Sequence, residues 1–582
     1  MKKNEIKKHV NIAIDNIISE GCTDVSLFRK PFEISLFKDE KFRKEITNEI
    51  VSAFDKIINH DGNFETLKMN KIYYMLVPKK NNFDFRKCAL IEVLDEIKYL
   101  TMACMIAKSV EKERKNKHCV FSYRYEPNGK GCIFNRKYNY SAFKSEYRKI
   151  SSKKKYKIII ECDISNFYDR LNIHRLNSTL LSIPTLDRKI IEVIDQTLLF
   201  WANRDSYGLP VGSNASRILA EAFLIEIDNF LESNGICFCR FVDDYRFFAK
   251  DSNEASRIIT KFVEILNKHG LSINLSKTKF RDISNYHDTN ANSKHTQNKN
   301  GLFEIIRGYS GIVPTKFRKL SDSEMAKLKK ENEQESFDKL KNNMIVEPTD
   351  ITKTIKILIA KEKFNDLLFF PDILKKYPQF IPYYSDVVKK NKEFISKKTY
   401  DSLLNKFSSW LNDNDVPEYI LISIISLYNC ENYNEKKVLF DFFKNLKRNS
   451  GIYIGRAILE QFGDNLTRGE ILQIKDYYLR ADNWEKRQIL KIVLNGLSTS
   501  ENRPFIKDLK INCSDPFILQ MIKKTNWCGQ DYNRIFAKSV WLVFPAFQTN
   551  NAFYECRRQK INFIEIKRCK KIAMMLSFCT LE

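Results

Sequence analysis

Two stretches of this sequence place carboxylates at the edges of apolar runs. Glu161-Cys-Asp163-Ile-Ser-Asn-Phe-Tyr168 follows the run Ile158-Ile159-Ile160, with an aromatic five residues after Asp163. Phe241-Val-Asp243-Asp244-Tyr245 sets paired carboxylates between two strand-like runs. Between them, Gly208-Leu-Pro210-Val-Gly212-Ser-Asn-Ala-Ser216-Arg217-Ile-Leu-Ala-Glu221 reads as a tight turn entering a helix. The three occur in order, 45 residues from Asp163 to Gly208 and 35 from there to Asp243. Phosphoryl transfer to a polynucleotide 3′ hydroxyl needs carboxylate oxygens that hold two hard cations about 4 Å apart. One cation activates the attacking oxygen and the other neutralises the leaving pyrophosphate. Asp163 on one strand and Asp243 on a neighbouring hairpin can supply that pair. Singly, each motif has a plainer reading: an Asp closing a strand, an Asp-Asp turn, a Gly-x-Pro-x-Gly turn. Their conjunction is what points to nucleotidyl transfer.

The elements that must position these residues form a compact α/β unit from Lys157 to about Phe280. Ile158 to Ile160 and Phe238 to Phe248 read as buried strands, while Ser216 to Leu231 and Glu254 to His269 have helical apolar spacing. Asn285 to Asn300 is polar and without periodicity, as expected of an exposed loop or linker. Beyond about residue 345, amphipathic helices follow one another. Thr467-x-x-Glu470 and Asp482-x-x-Glu485 have the form of capping boxes, and the second opens a helix that stops near Asn495-Gly496. Asp415 with Pro417 opens the run Ile420 to Leu427. Successive antiparallel pairs suggest an α-solenoid or an irregular bundle, with no regular repeat.

The chain has 582 residues, long enough for two to four domains. Lys and Arg number 98 against 72 Asp and Glu, a formal charge of +26, and 43% of residues are apolar. This is a folded basic protein with a polyanionic partner, usually nucleic acid, and not a disordered polycation. The charge is uneven. Lys108 to Lys157 holds 16 Lys or Arg against four acids, interleaved with nine aromatics from Phe121 to Tyr156. That mixture suits a groove for a single strand or a primer-template, with rings stacked on bases. Its plainer reading is a solvated charged face over ordinary core aromatics. No apolar run reaches 18 residues and the start is amphipathic, so a soluble, intracellular, cytoplasmic protein without membrane contact is expected. The 14 Cys include no C-x-x-C pair and are expected to be reduced and buried.

The motif set resembles the palm of reverse transcriptases. The resemblance makes Asp163, Asp243, Asp244 and Lys277 catalytic, the last within Gly270-Leu-Ser-Ile-Asn274-Leu-Ser-Lys277 and near the departing pyrophosphate. It places Asp163, Ile164, Asp243 and Asp244 at two Mg²⁺ ions, or Mn²⁺ in their place. Tyr168 becomes the steric gate under the ribose, which argues for deoxynucleotides. Pro210, Gly212, Ser216 and Arg217, with Arg86 and Arg124 from the fingers, become nucleotide-binding. Where the commoner pattern has Pro-Gln-Gly, this chain has Pro210-Val211-Gly212. Its Ser216-Arg217-x-x-x-Glu221 is similar to the abortive-infection and other defence-associated bacterial reverse transcriptases, which carry a helical, often HEAT-like domain after the palm.

The resemblance thus implies an α+β fold: fingers and palm over 1–285, a polar linker and connecting segment over 286–345, a helical-repeat domain over 346–520 and a basic aromatic segment over 521–582. It implies an RNA-directed DNA polymerase, a DNA nucleotidyltransferase acting in antiphage defence. Its partners would be dNTPs, a single-stranded DNA product, an RNA template where one is copied, and further copies of itself as a trimer or hexamer. Some such relatives make DNA without a template or prime it from a protein hydroxyl. The alternative is a retron-like or intron-like enzyme that copies a specific RNA.

Overall fold

The computed structural model describes residues 1–527 apart from 24, 26, 80–84, 115–117, 204, 284–319, 343–345, 347, 412–415 and 447–452. Met1–Ser498 form one compact unit and Thr499–Glu582 a second. The architecture is α+β, a mixed helix-strand half followed by an all-helical region.

The first half begins with α1 (Lys3–Glu20), the single turn α2 (Glu33–Leu36) and α3 (Glu40–Asn59). A hairpin follows, β1 (Tyr73–Pro78) antiparallel to β2 (Phe85–Leu90), with Val77 opposite Arg86. Helix α4 (Val93–Glu113) precedes α5 (Tyr140–Ser151), the single turn α6 (Phe167–Arg170) and α7 (Ile173–Leu181); α4 is buried on most sides and packs against α1, against α8 (Arg188–Trp201) and against α9 (Asn214–Phe223). A helix covered on several sides is mostly apolar, and the two carboxylates buried on it, Asp95 and Glu96, are hydrogen-bonded, to Asn70 and Ser213.

Four antiparallel strands form the second sheet, in the order β4 (Phe238–Phe241), β5 (Asp244–Ala249), β3 (Ile158–Asp163), β6 (Lys279–Asp282). The period of two divides β3 into faces. Ile159, Glu161 and Asp163 stand opposite Phe248, Arg246 and Asp244 of β5. That face is apolar at one end, where Ile159 and Phe248 join Phe143 and Tyr147 of α5 (Tyr140–Ser151), and charged at the other. On the opposite face, Tyr245 and Phe247 pack against Phe262 of α11 (Ser252–Lys268).

The apolar run expected as one helix from Ser216 to Leu231 is two, α9 and α10 (Ile225–Ser233), which meet at Leu224. Hydrophobic spacing hides the bend because Phe223, Leu224 and Ile225 are all buried.

The described part of 286–345 holds two helices. Helices Asp322–Lys329 and Glu333–Asn342 pack against Pro348–Ala360. Asn285 to Asn300, and the basic aromatic tail beyond Trp527, lie outside the described residues.

Further on, Ile381–Lys390, Glu418–Ile425, Ile454–Phe462 and Asn483–Gly496 stack in sequence, each on the next. Lys397–Leu411, Tyr433–Lys444 and Arg468–Tyr477 alternate with them along the chain. Alternate helices in contact are the pattern of an α-solenoid. The stacked helices begin at 381, 418, 454 and 483, 29 to 37 residues apart, which is why no fixed period is visible in the sequence.

Both expected capping boxes form, with Thr467 accepting from the Glu470 N–H and Asp482 from the Glu485 N–H. Thr467→Ala is expected to cost about 1 kcal/mol, read as a lower melting temperature with nucleotide incorporation unchanged.

The stacked layer is fastened to the N-terminal half. Glu418–Ile425 packs against β1, and Tyr419 and Tyr453 pack edge-on against Phe28. Arg456 grips Glu33 through two hydrogen bonds, 2.9 and 3.2 Å, and Arg487 donates to Glu92 at 2.6 Å.

Candidate active site

The end of β3 and the turn between β4 and β5 bring the sequence-predicted carboxylates together. Asp163 stands opposite Asp244 in the ladder, and Asp243 lies in the two-residue turn just before it. The Ile164 N–H donates to the Asp243 carbonyl at 3.1 Å, which ties the turn to the strand end. Asp163 is further held by Lys277, whose Nζ lies 2.9 Å from Oδ2, and by the Asn274 N–H, 2.7 Å from its carbonyl. Asn274 is a positioning contact that the motif contained but its spacing did not reveal.

Burial and the neighbouring Asp163 carboxylate push Asp243 up to about 7, from an ordinary value near 4. Asp244 is also raised by burial, while its ion pair with Arg246 pulls the other way. Among the described residues no three His, Cys, Asp or Glu side chains converge into a ready cation site. The donors that fit a hard divalent cation are therefore the pair Asp163 and Asp243. Their oxygens are of the right chemistry, and their mutual repulsion is what a cation would relieve. Asp244 is turned to Arg246.

The turn motif joins this centre from the other side. Gly208 and Gly212 have φ of +97° and +118°, the left-handed region that favours glycine. The Gly208 N–H donates to the Leu171 carbonyl and the Leu209 N–H to the Tyr168 carbonyl, both at 2.9 Å. The motif around Tyr168 and the turn are thus one hydrogen-bonded body, and the ring of Tyr168 is buried against Phe167. The Val211 carbonyl accepts from the Ala89 N–H of β2 at 3.0 Å, which connects the turn to the first hairpin. Pro210 is buried. Ser213 caps α9 and donates to Glu96 at 2.6 Å, while Ser216 Oγ lies 3.0 Å from the Tyr99 hydroxyl. Arg217 bonds Asn214 and lies over the ring of Tyr123, 5.1 Å from its centroid. Arg86 of β2, with Lys79 and Lys87, acts on the carboxyl of Asp169, the residue after Tyr168.

Arg124 is elsewhere. It is 3% exposed and bonds Glu111 at 2.8 Å and the Val120 carbonyl at 3.2 Å, so it holds protein instead of nucleotide. The aromatics of the basic window likewise serve the core: Phe121, Phe143 and Tyr147 are buried in it, and Tyr138, Tyr140 and Tyr156 pack against it. They are not free faces for bases. The basic side chains do reach solvent, among them Arg136, Lys137, Arg148, Lys149 and Lys153 to Lys155. The run ending at Lys157 sits at the far end of β3 from Asp163, roughly 17 Å along the strand.

Residues 77–295 match the family model described as reverse transcriptase, RNA-dependent DNA polymerase. They are a reverse-transcriptase domain. The matched segment contains Asp163, Tyr168, Gly208 to Glu221, Asp243, Asp244 and Lys277, and the activity of such a domain is RNA-directed DNA polymerisation, a nucleotidyl transfer. No curated protein matches the sequence.

Among solved structures, the chain is similar to telomerase from Candida tropicalis with a fragment of telomeric RNA, at 14% identity over 62% of this chain and 64% of that one, TM-score 0.27. It is also similar to Candida albicans telomerase with such a fragment, at 13% identity over 67% and 66%, TM-score 0.27. Apo telomerase from Candida tropicalis matches at 12% identity over 67% and 68%, TM-score 0.29. The matches span slightly under two thirds of the first two of these chains. No helix among the described residues of the reverse-transcriptase domain or beyond it is long and apolar enough to cross a membrane.

Proposed function

We propose that this chain adds deoxynucleotides to a 3′ hydroxyl, with Asp163 and Asp243 as the carboxylates that hold two Mg²⁺ ions, or Mn²⁺ in their place, and with Asp244 joining them when it exchanges Arg246 for a cation. Ile164 contributes only its main chain, since its side chain is apolar. The ions when bound would activate the attacking hydroxyl and neutralise the leaving pyrophosphate. The observation that carries this reading is the meeting of Asp163 and Asp243 across the end of β3 and the β4–β5 turn, with Lys277 beside them. Lys277 balances the negative charge of Asp163 and lies within reach of a departing phosphate. The body formed by the Tyr168 segment and the Gly208 turn orients the sugar and base. Arg86 and Arg217, with Pro210 and Gly212, complete the nucleotide's surroundings, while Ser216, 0% exposed and bonded to Tyr99, supports them from within.

Tyr168→Ala is expected to raise ribonucleotide incorporation at least about tenfold relative to deoxynucleotide, because removing the ring opens room for a 2′ hydroxyl. Competing dNTP and rNTP incorporation checks this. A protein that still rejects ribonucleotides would remove the gate assignment and leave the polymerase intact.

The setting proposed is antiphage defence in the bacterial cytoplasm, by a homo-oligomer of three or six copies that makes single-stranded DNA without a template and primes it from its own hydroxyl. Ser216-Arg217-x-x-x-Glu221 and the helical solenoid after the palm support that reading. Phage plating on cells that carry the wild-type chain or the Asp243→Asn, Asp244→Asn chain tests it. Protection should vanish with the two aspartates, and protection that survives their loss would contradict it. A second reading, copying of a specific RNA, is favoured by the RNA-dependent description of the matched family. Incubation with Mg²⁺ and dNTPs, followed by protease, separates the two. A DNA product that shifts on proteolysis supports self-priming, whereas incorporation only after RNA is added supports copying.

A further inference from the structure

We propose that Ser122, Arg240 and Glu221 are positioning residues, which hold the turn carrying Asp243 in a backbone conformation that Val242 would not keep by itself. The turn between β4 and β5 consists of Val242 and Asp243. Val242 has a φ of +58°, in the left-handed region that a β-branched residue enters only at a cost.

Side chains hold both main-chain polar groups of Val242. Its N–H donates to Ser122 Oγ at 3.0 Å, and its carbonyl accepts from Arg240 Nη1 at 3.1 Å. The Ser122 hydroxyl, having accepted from Val242, donates to Glu221 Oε1. Glu221 lies on α9 at 1% exposure, and its other oxygen accepts from Arg114 at 2.6 Å and lies 3.0 Å from Arg240 Nη2. Arg240, 0% exposed, is completed by Asp228 of α10 through bonds of 2.9 and 2.6 Å. Asp228 also accepts from the Tyr245 hydroxyl at 3.3 Å. Arg114 fixes the Ser122 segment by donating to the carbonyls of Ser122 and Tyr123, at 2.6 and 3.0 Å.

Burial by itself would raise the Glu221 carboxyl, but Arg114 and Arg240 hold it below the ordinary range, so it stays ionised and accepting. Buried charges persist only where they are paired. Here the pairing ends on the two main-chain groups of one strained residue, the immediate neighbour of Asp243. Because the Asp243 carbonyl is itself held by the Ile164 N–H, the turn is fixed from both sides and its carboxyl has little freedom to swing. The Glu of the Ser-Arg-x-x-x-Glu signature thus faces the protein interior and acts through the turn, without touching nucleotide.

The inference rests on the polymerase reading of the site, and its test is single-nucleotide incorporation by the full chain. Ser122→Ala deletes the acceptor of the Val242 N–H and nothing at the nucleotide. It is expected to lower kcat about tenfold, or about 1.4 kcal/mol, with KM for the deoxynucleotide unchanged. Glu221→Gln leaves two buried arginines short of a carboxylate and is open to misfolding, so Ser122→Ala carries the test. The discriminating measurement repeats Ser122→Ala in the Val242→Gly background, where positive φ carries no penalty. There the loss in kcat is expected to shrink to less than about threefold. An equal loss in both backgrounds, or a raised KM in place of a lowered kcat, would overturn the positioning role. An active wild type with an unaffected Ser122→Ala protein would overturn it alone. A wild type that incorporates nothing would overturn the polymerase reading and this one with it.

Discussion

Asp243→Asn is expected to lower nucleotide incorporation by on the order of 10³-fold, while the metal-free protein melts at the same temperature or higher. The two halves of this expectation have one cause. Asp243 is raised to about 7 by burial and by Asp163, so the folded protein binds its proton more tightly than the unfolded chain does. For a carboxyl raised in this way, the stabilising contribution is present at low pH and is lost as the pH rises through about 7. Above that pH the ionised group opposes folding, and the uncharged amide removes the opposition. The amide also removes the repulsion between Asp243 and the Asp163 carboxylate. Melting in chelator at pH 6 and pH 9, with incorporation in Mg²⁺, checks both halves. The variant should gain most at the higher pH. A variant that melts much lower at pH 9 would mean that Asp243 is a structural residue.

The second large effect concerns the attachment of the solenoid. Arg456 and Glu33 are both fully buried, and the guanidinium also donates to the Trp484 carbonyl at 2.6 Å and to Glu460 at 2.6 Å while lying over the ring of Phe32. Arg456→Met removes both hydrogen bonds to the buried Glu33 and leaves it only Arg487, 3.9 Å away and bonded to Glu92, and is expected to cost about 3 kcal/mol. Glu33→Gln combined with Arg456→Met should recover more than half of that, because two neutral side chains of similar size leave no charge stranded. Denaturant unfolding of the two variants beside the wild type measures it. A single variant within about 1 kcal/mol of wild type would mean that the pair contributes little to joining the helices to the N-terminal half.

Much of the centre was legible because its signals are local. Asp163 closes an apolar strand, Asp243 sits in a hairpin turn, and Gly208 needs positive φ, so residue type and spacing sufficed. Thr467 and Asp482 capped helices as expected for the same reason. What could not be read was pairing over long sequence distances. Glu221, four residues after Arg217, invites an i, i+4 pair on one helix, yet its partners are Ser122, Arg114 and Arg240. A signal for the last was available: Arg240 is a charge inside the strand Phe238-Cys239-Arg240-Phe241, and a charge there must find a buried partner. Charge counting over the basic window carries no information on burial, and Arg124 with the aromatics Phe121, Phe143 and Tyr147 builds the interior instead of a nucleic-acid groove. The bend at Leu224 was invisible because apolar spacing runs through it.

That these aspartates carry polymerisation is tested most directly by incorporation of labelled deoxynucleotide by the purified full chain in Mg²⁺, with and without added RNA, set beside the Asp163→Asn and Asp243→Asn, Asp244→Asn proteins. The wild type should incorporate and prefer dNTP over rNTP, and both variants should lose incorporation. Incorporation that persists without these aspartates, or a wild type inert under every template condition, would contradict it.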